Sequence, residues 1–153
     1  MSGVSAKASW SWCVVAAASL AARTAGAHHS TAEFDYTKSY AVTGTVKELQ
    51  WTNPHAWVQV LVKNGDGGVD EWGFELGAPI FNVRMGWSKD SVVAGQEVRV
   101  VFCPSKTLNR RGTLLAIRLP SGERLNGVAP VAYSGQPYDD MDSVPAPPPA
   151  ARR

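Results

Sequence analysis

The chain has 153 residues, of which 44% are hydrophobic, with 15 Lys or Arg against 13 Asp or Glu for a net charge of +2. That length carries one domain with extensions rather than two cores, and the near balance of charge excludes a basic surface built for a phosphate backbone. No phosphate loop, dinucleotide fingerprint, zinc-knuckle cysteine set or serine elbow occurs, which argues against the standard cofactor enzymes.

Residues 1–27 read as a secretory signal peptide. Lys7 supplies the positive start, residues 10–22 form an apolar run well short of the roughly 20 residues a membrane span needs, and Ala25-Gly26-Ala27 is a small-x-small cleavage pattern. The expectation is a periplasmic or secreted protein that begins near His28 and has no membrane span after cleavage. Cleavage takes two of the 15 basic residues, Lys7 and Arg23, and none of the 13 acidic ones, so the mature chain is close to neutral. It also takes Cys13. Cys103 then has no disulfide partner and reads as a small buried hydrophobe on an apolar strand.

Residues 28–38 are polar, with Phe34 and Tyr36 as the first anchors onto a domain. Residues 40–51 alternate at a strand's period, Val42, Gly44 and Val46 on one face and Leu49 and Trp51 on the other. A phase slip of one residue is what a bulge produces, and it bends the strand so that it can serve two sheets. Gly44 fits the same need for a bend or a close approach. Asn53-Pro54 is a turn signal. A second strand over 56–63 points Val58, Val60 and Val62 inward and Trp57 outward, and the glycine-rich loop 64–68 leads by a hairpin into a third strand over 69–76. There Trp72, Phe74 and Leu76 share the core face, while Glu71 and Glu75 fall on a solvated one.

Gly77-Ala78-Pro79 opens a short helix with proline in its first turn. Ile80, Val83 and Trp87 recur at helical spacing, so the helix is expected to plug the core and to end at Gly86. A fourth strand covers 97–103. Lys106 to Arg111 form a basic loop read as a solvated tip, and a fifth strand over 112–119 carries Leu115, Ile117 and Leu119. A final short strand lies around 123–125. From residue 129 the chain turns proline- and alanine-rich with acidic residues, a composition that buries too little apolar surface to offset its ordering entropy. Three strands, a helix, then two or three strands is the order of an oligonucleotide/oligosaccharide-binding (OB) barrel. An open five-stranded sheet or an SH3-like barrel would alternate similarly but does not explain the helix. The fold expected is all-β with one short helix: an OB-like barrel of five to six strands over residues 28–128, and a disordered tail over 129–153.

With Ala27-His28-His29-Ser30, Phe34-Asp35, Gly44-Thr45-Val46-Lys47-Glu48, Trp51-Thr52-Asn53-Pro54-His55-Ala56-Trp57, Gly86-Trp87 and Ala94-Gly95-Gln96, the chain resembles the domain of unknown function 6152 family of exported bacterial proteins. The resemblance runs over roughly residues 28–126 and implies a single exported domain without assigning an activity.

Two candidate sites stand out. The turn between the first two strands sets Trp51, Asn53, His55 and Trp57 together, and an outward aromatic on a barrel can stack on a ring of a ligand. A lone turn histidine, equally, can serve the fold by bonding to nearby backbone. The second site is a metal centre. With His28 at the mature N-terminus, its α-amine and imidazole can chelate one ion, and His29 or His55 would complete a three-nitrogen set suited to copper. An α-amine of reference pKa about 7.7–8.0 is partly deprotonated near neutrality, so the chelate is accessible. The functions open at this level are a binding module for a small ligand or exported protein, a copper protein for metal handling or oxidation, and a structural accessory subunit docked through its tail.

Overall fold

In the computed structural model, residues 33–127, 133–135 and 137–149 are described. Six strands and one helix follow in order: β1 (Tyr40–Gln50), β2 (Trp57–Lys63), β3 (Val69–Glu75), α1 (Pro79–Arg84), β4 (Glu97–Pro104), β5 (Arg111–Arg118) and β6 (Arg124–Asn126). The sheet order is β3-β2-β1-β4-β5-β6, and β3 also pairs with β5 in parallel, which closes five strands into a barrel with β6 as an extra strand. This is the connectivity of the OB barrel expected from the strand–helix order.

β1 explains how one sheet closes on itself. Its first half, from Tyr40 to Thr45, pairs with β4; its second, from Thr45 to Gln50, pairs with β2. A register shift between Val46 and Glu48 is the bulge that the phase slip in the sequence implied. At Gly44 a methyl group would meet the Leu61 carbonyl oxygen and lie 2.8 Å from Val60 Cγ1, so the residue is held to glycine by strand crossing.

Val42, Val46, Val58, Val60, Phe74, Val98, Val100, Phe102, Leu114 and Ile117 fill the barrel, with Trp51 and Trp72 packed against it in part. Trp72 stacks on Phe74 with centroids 6.1 Å apart and meets Phe102 edge-on at 5.5 Å. α1 starts with Pro79 at its first turn and gives way to Gly86 at φ 89°, as its sequence suggests. Its burial does not follow the expected stripe. Ile80 and Val83 are exposed, together with Phe81 and Met85. Asn82 is the buried helical residue, its Nδ2 donating to the Gly77 carbonyl at 2.7 Å. Trp87, beyond the helix, seals this end of the barrel and donates through Nε1 to the Asn126 carbonyl at 2.7 Å.

A second apolar cluster lies outside the barrel wall. The bulge between Val101 and Phe102 against β5 leaves Leu115 without a ladder partner, so Leu115 and Ala116 both turn outward while Leu114 and Ile117 stay inside. Leu115 therefore does not share a face with Ile117. Outside, Ala41, Val101, Cys103, Leu115 and Ala116 are covered by Phe34 and, from the C-terminal segment, by Met141 and Val144. Residues 137–149 thus lie on the barrel, although their composition suggests a segment that stays off it; two apolar anchors among acidic neighbours are enough to seat them. Cys103 is fully buried here, and burial pushes its thiol up to about 12.

Candidate functional site

The turn 51–56 closes one end of the β1–β2 pair and contains a cis Asn53-Pro54 peptide. Thr52 Oγ1 donates to the His55 carbonyl at 3.3 Å across it. The four residues the sequence placed together divide here. Trp51 is half-buried and leans on the barrel core, and Asn53 is exposed at the tip. His55 and Trp57 face the outer wall. His28 and His29 lie outside the described residues, and so does any meeting of theirs with His55.

On the wall, His55 and Trp57 are joined by two residues that the motif does not contain. Glu75 sits directly across the ladder from Trp57, and its Oε1 is in short contact with His55 Nδ1, with the two side chains 14% and 32% exposed. Glu75 is therefore no solvated carboxylate: it orients the imidazole. Glu71, by contrast, stays exposed and pairs with Lys47 at 2.8 Å. The guanidinium of Arg111, the first residue of β5, lies 4.3 Å from the centroid of the Trp57 ring, within the range of a cation–π contact. Sequence reasoning missed Glu75 and Arg111. Glu75 was within reach, since counting outward from the 64–68 loop sets Lys63 against Val69 and hence Trp57 against Glu75. Arg111 comes from the parallel β3–β5 closure, where it meets Gly73, and no local pattern reports that.

Arg111 also lines the open mouth at the opposite end of the barrel from Trp87. There a cleft of about 1150 Å³ lies among Tyr40, Trp72 and Phe102, with Lys63, Lys106 and Arg110 on its rim. Arg110, at φ 59°, is engaged by Asp70 at 3.0 Å, and Lys38 by Asp35 at 2.8 Å. Hydrogen bonds from Lys38 and then Thr37 lower the Asp35 carboxyl to about 2. Lys63 and Lys106 are exposed and have no acidic partner among the described residues. The basic loop is thus not a free tip: it forms one side of the cleft.

The model of a family of unknown function (DUF6152) matches residues 14–115 of the chain. The chain belongs to that family. The DUF6152 match takes in the His55–Glu75 pair, Trp57, Arg111 and the residues of the cleft floor, and it stops within β5, short of Arg118 and the C-terminal segment. No curated protein and no solved structure matches the chain. Among the described residues there is no cluster of three or more His, Cys, Asp or Glu side chains that could hold a metal, and no helix is long and apolar enough to cross a membrane.

Proposed function

We propose that this protein is an exported binding module that takes a small ligand with an aromatic or apolar body and a negative charge into the mouth of the barrel. The observation that carries the reading is the cleft itself: an aromatic floor of Tyr40, Trp72 and Phe102 beneath the cations Lys63 and Lys106. Concave sites with an apolar lining and a few convergent polar groups are where small ligands bind. Trp57 joins the site through Arg111, which is held on its ring and reaches the cleft wall. The aromatic sulfonate 8-anilinonaphthalene-1-sulfonate has the required chemistry and fluoresces when bound. It should bind saturably with one site, and Lys63→Glu/Lys106→Glu should weaken it at least tenfold, about 1.4 kcal/mol. Lys89→Glu, remote from the cleft, should leave it unchanged. Equal binding by the double variant would remove the cleft from consideration.

One contact favours a second reading, copper binding through His28 with His29 or His55. The Glu75 carboxylate on His55 Nδ1 is the kind of orienting contact that metal-bound imidazoles commonly have. In this reading His55 supplies an imidazole and His28 the terminal amine. Protein processed to His28 should bind copper with higher affinity than protein extended by one residue, and an affinity indifferent to the extension would discard the chelate.

A further inference from the structure

The outer face of β4 and β5 has a feature that neither the barrel core nor the mouth requires. Two strands carry consecutive buried residues, Val100 to Cys103 and Leu114 to Ile117, so one of their faces needs a cover supplied from outside the barrel. Residues 137–149 supply it, and the contacts are specific. Met141 and Val144, three apart, bury against Ala41, Val101, Cys103, Leu115 and Ala116. Between them, the Asp142 carboxylate receives both terminal nitrogens of Arg118 at 2.7 and 2.8 Å, with Arg99 Nε a further 3.4 Å away. Arg99 also donates to the main-chain carbonyls of Met141 at 2.9 Å and Val144 at 3.2 Å. The Pro145 carbonyl takes the N–H of Ala41 at 2.8 Å.

This is how a peptide turn is read: two apolar anchors, one acid between them gripped bidentately, and main-chain carbonyls held by the receptor, with residues 141–143 in a turn that the Ser143 N–H closes on the Asp140 carbonyl at 3.2 Å. The attachment is also separable. Among the described residues, the segment is joined to the rest by a single backbone-to-backbone hydrogen bond, Ala41 to Pro145, rather than by a ladder. Elements held by few backbone bonds open locally at low cost compared with core strands. Were the segment to leave, the apolar strip from Val101 to Ala116 would face water, a surface that favours re-covering by something of the same chemistry.

We propose that the outer face of β4–β5 is a peptide-recognition groove whose resident ligand is the chain's own segment 137–149, and that it accepts in trans an acidic turn-forming segment of another protein with an aspartate between two apolar residues three apart. Arg118 and Arg99 are the specificity residues, and the strip around Cys103 is the anchor pocket.

Cys103 reports occupancy, because it lies under Met141 and Val144. In a Cys13→Ser background it is the sole thiol of the full chain. Labelling by the neutral reagent N-ethylmaleimide, followed by intact mass, should be slow in this protein and at least a hundredfold faster in Met141→Glu/Val144→Glu. A synthetic peptide of residues 137–149 should restore protection to that variant in a saturable way. Arg118→Glu added to it should abolish the restoration, and a peptide carrying Asp142→Arg should recover it. No protection by millimolar peptide in a variant that keeps its native near-UV circular dichroism would overturn the proposal, as would protection indifferent to Arg118. Should the variant unfold, the full-length unsubstituted chain decides the matter. Fluorescein-labelled 137–149 then exchanges into it with a saturable rise in anisotropy, or it does not and the groove is not exchangeable.

Discussion

Replacing Gly44 by alanine tests the idea that strand crossing, rather than loop or cap chemistry, holds this barrel together. The added methyl would contact the Leu61 carbonyl oxygen and approach Val60 Cγ1 at 2.8 Å and Leu61 C at 3.0 Å. Two of those three atoms are backbone of β2, which is tied to β1 on one side and β3 on the other, so relief requires the β1–β2 pair to part. Overpacking of this kind costs typically 1–3 kcal/mol. Alanine's intrinsic advantage over glycine in a strand, roughly 0.5–1 kcal/mol, offsets only part. A net loss of about 1–2 kcal/mol lowers the melting temperature of a domain of this size by roughly 4–16 °C. Gly73→Ala is the matched control. Its methyl would meet only the far end of the Gln59 side chain, at 3.0 Å, which can swing away, so the propensity gain should leave its stability unchanged or raised. Thermal unfolding of both variants by circular dichroism compares them directly. If Gly44→Ala melts with or above Gly73→Ala, the crossing is not tight and the account of how β1 serves two sheets is wrong.

Trp87→Phe keeps an aromatic plug but leaves the Asn126 carbonyl without the indole N–H it receives at 2.7 Å; urea unfolding should show a loss of about 1–3 kcal/mol. Asp35 is held near pKa 2, first by its hydrogen bond from Lys38. A depressed folded pKa gives stability that is present above the unfolded value of 3.8 and is lost as pH falls toward 2, so carboxyl NMR should find Asp35 titrating well below 3.8 and Lys38→Ala moving it up. A double-mutant cycle over Trp57→Ala and Arg111→Ala should return a coupling of about 0.5–1 kcal/mol for the cation–π contact, and additive losses would mean the two merely lie side by side.

Much of the barrel could be read along the chain, because strands announce themselves through period-two alternation. The bulge in β1 showed as a phase slip, and the 64–68 loop set the β2–β3 register and with it the place of Glu75. The helix was harder for a physical reason. Ile80 and Val83 have the spacing of a buried stripe, but a six-residue helix at a barrel's end can seal it with the residues that follow, as Trp87 does. The covering segment was hidden by averaging, since composition over 129–153 weighs prolines and acids and passes over Met141 and Val144. Its signal lay elsewhere, in the unbroken apolar runs of β4 and β5, which alternate only if one face is wet. Arg111 was beyond reach, because the parallel contact that brings it to Trp57 joins strands far apart in sequence.

The carbonyl of Pro145 on Ala41 has a bearing on how these molecules behave in company. The first half of β1 pairs with β4 alone, so its other edge would offer N–H groups to any extended chain nearby. The segment that meets this edge does so with a proline, which has no N–H to pass on, and it runs on into Pro147, Pro148 and Pro149. Strand pairing stops there by lack of donors. A barrel crowded among its neighbours is thereby kept from stitching itself into sheets with them, and variants that replace Pro145 and the three prolines should aggregate at lower concentration than the native chain.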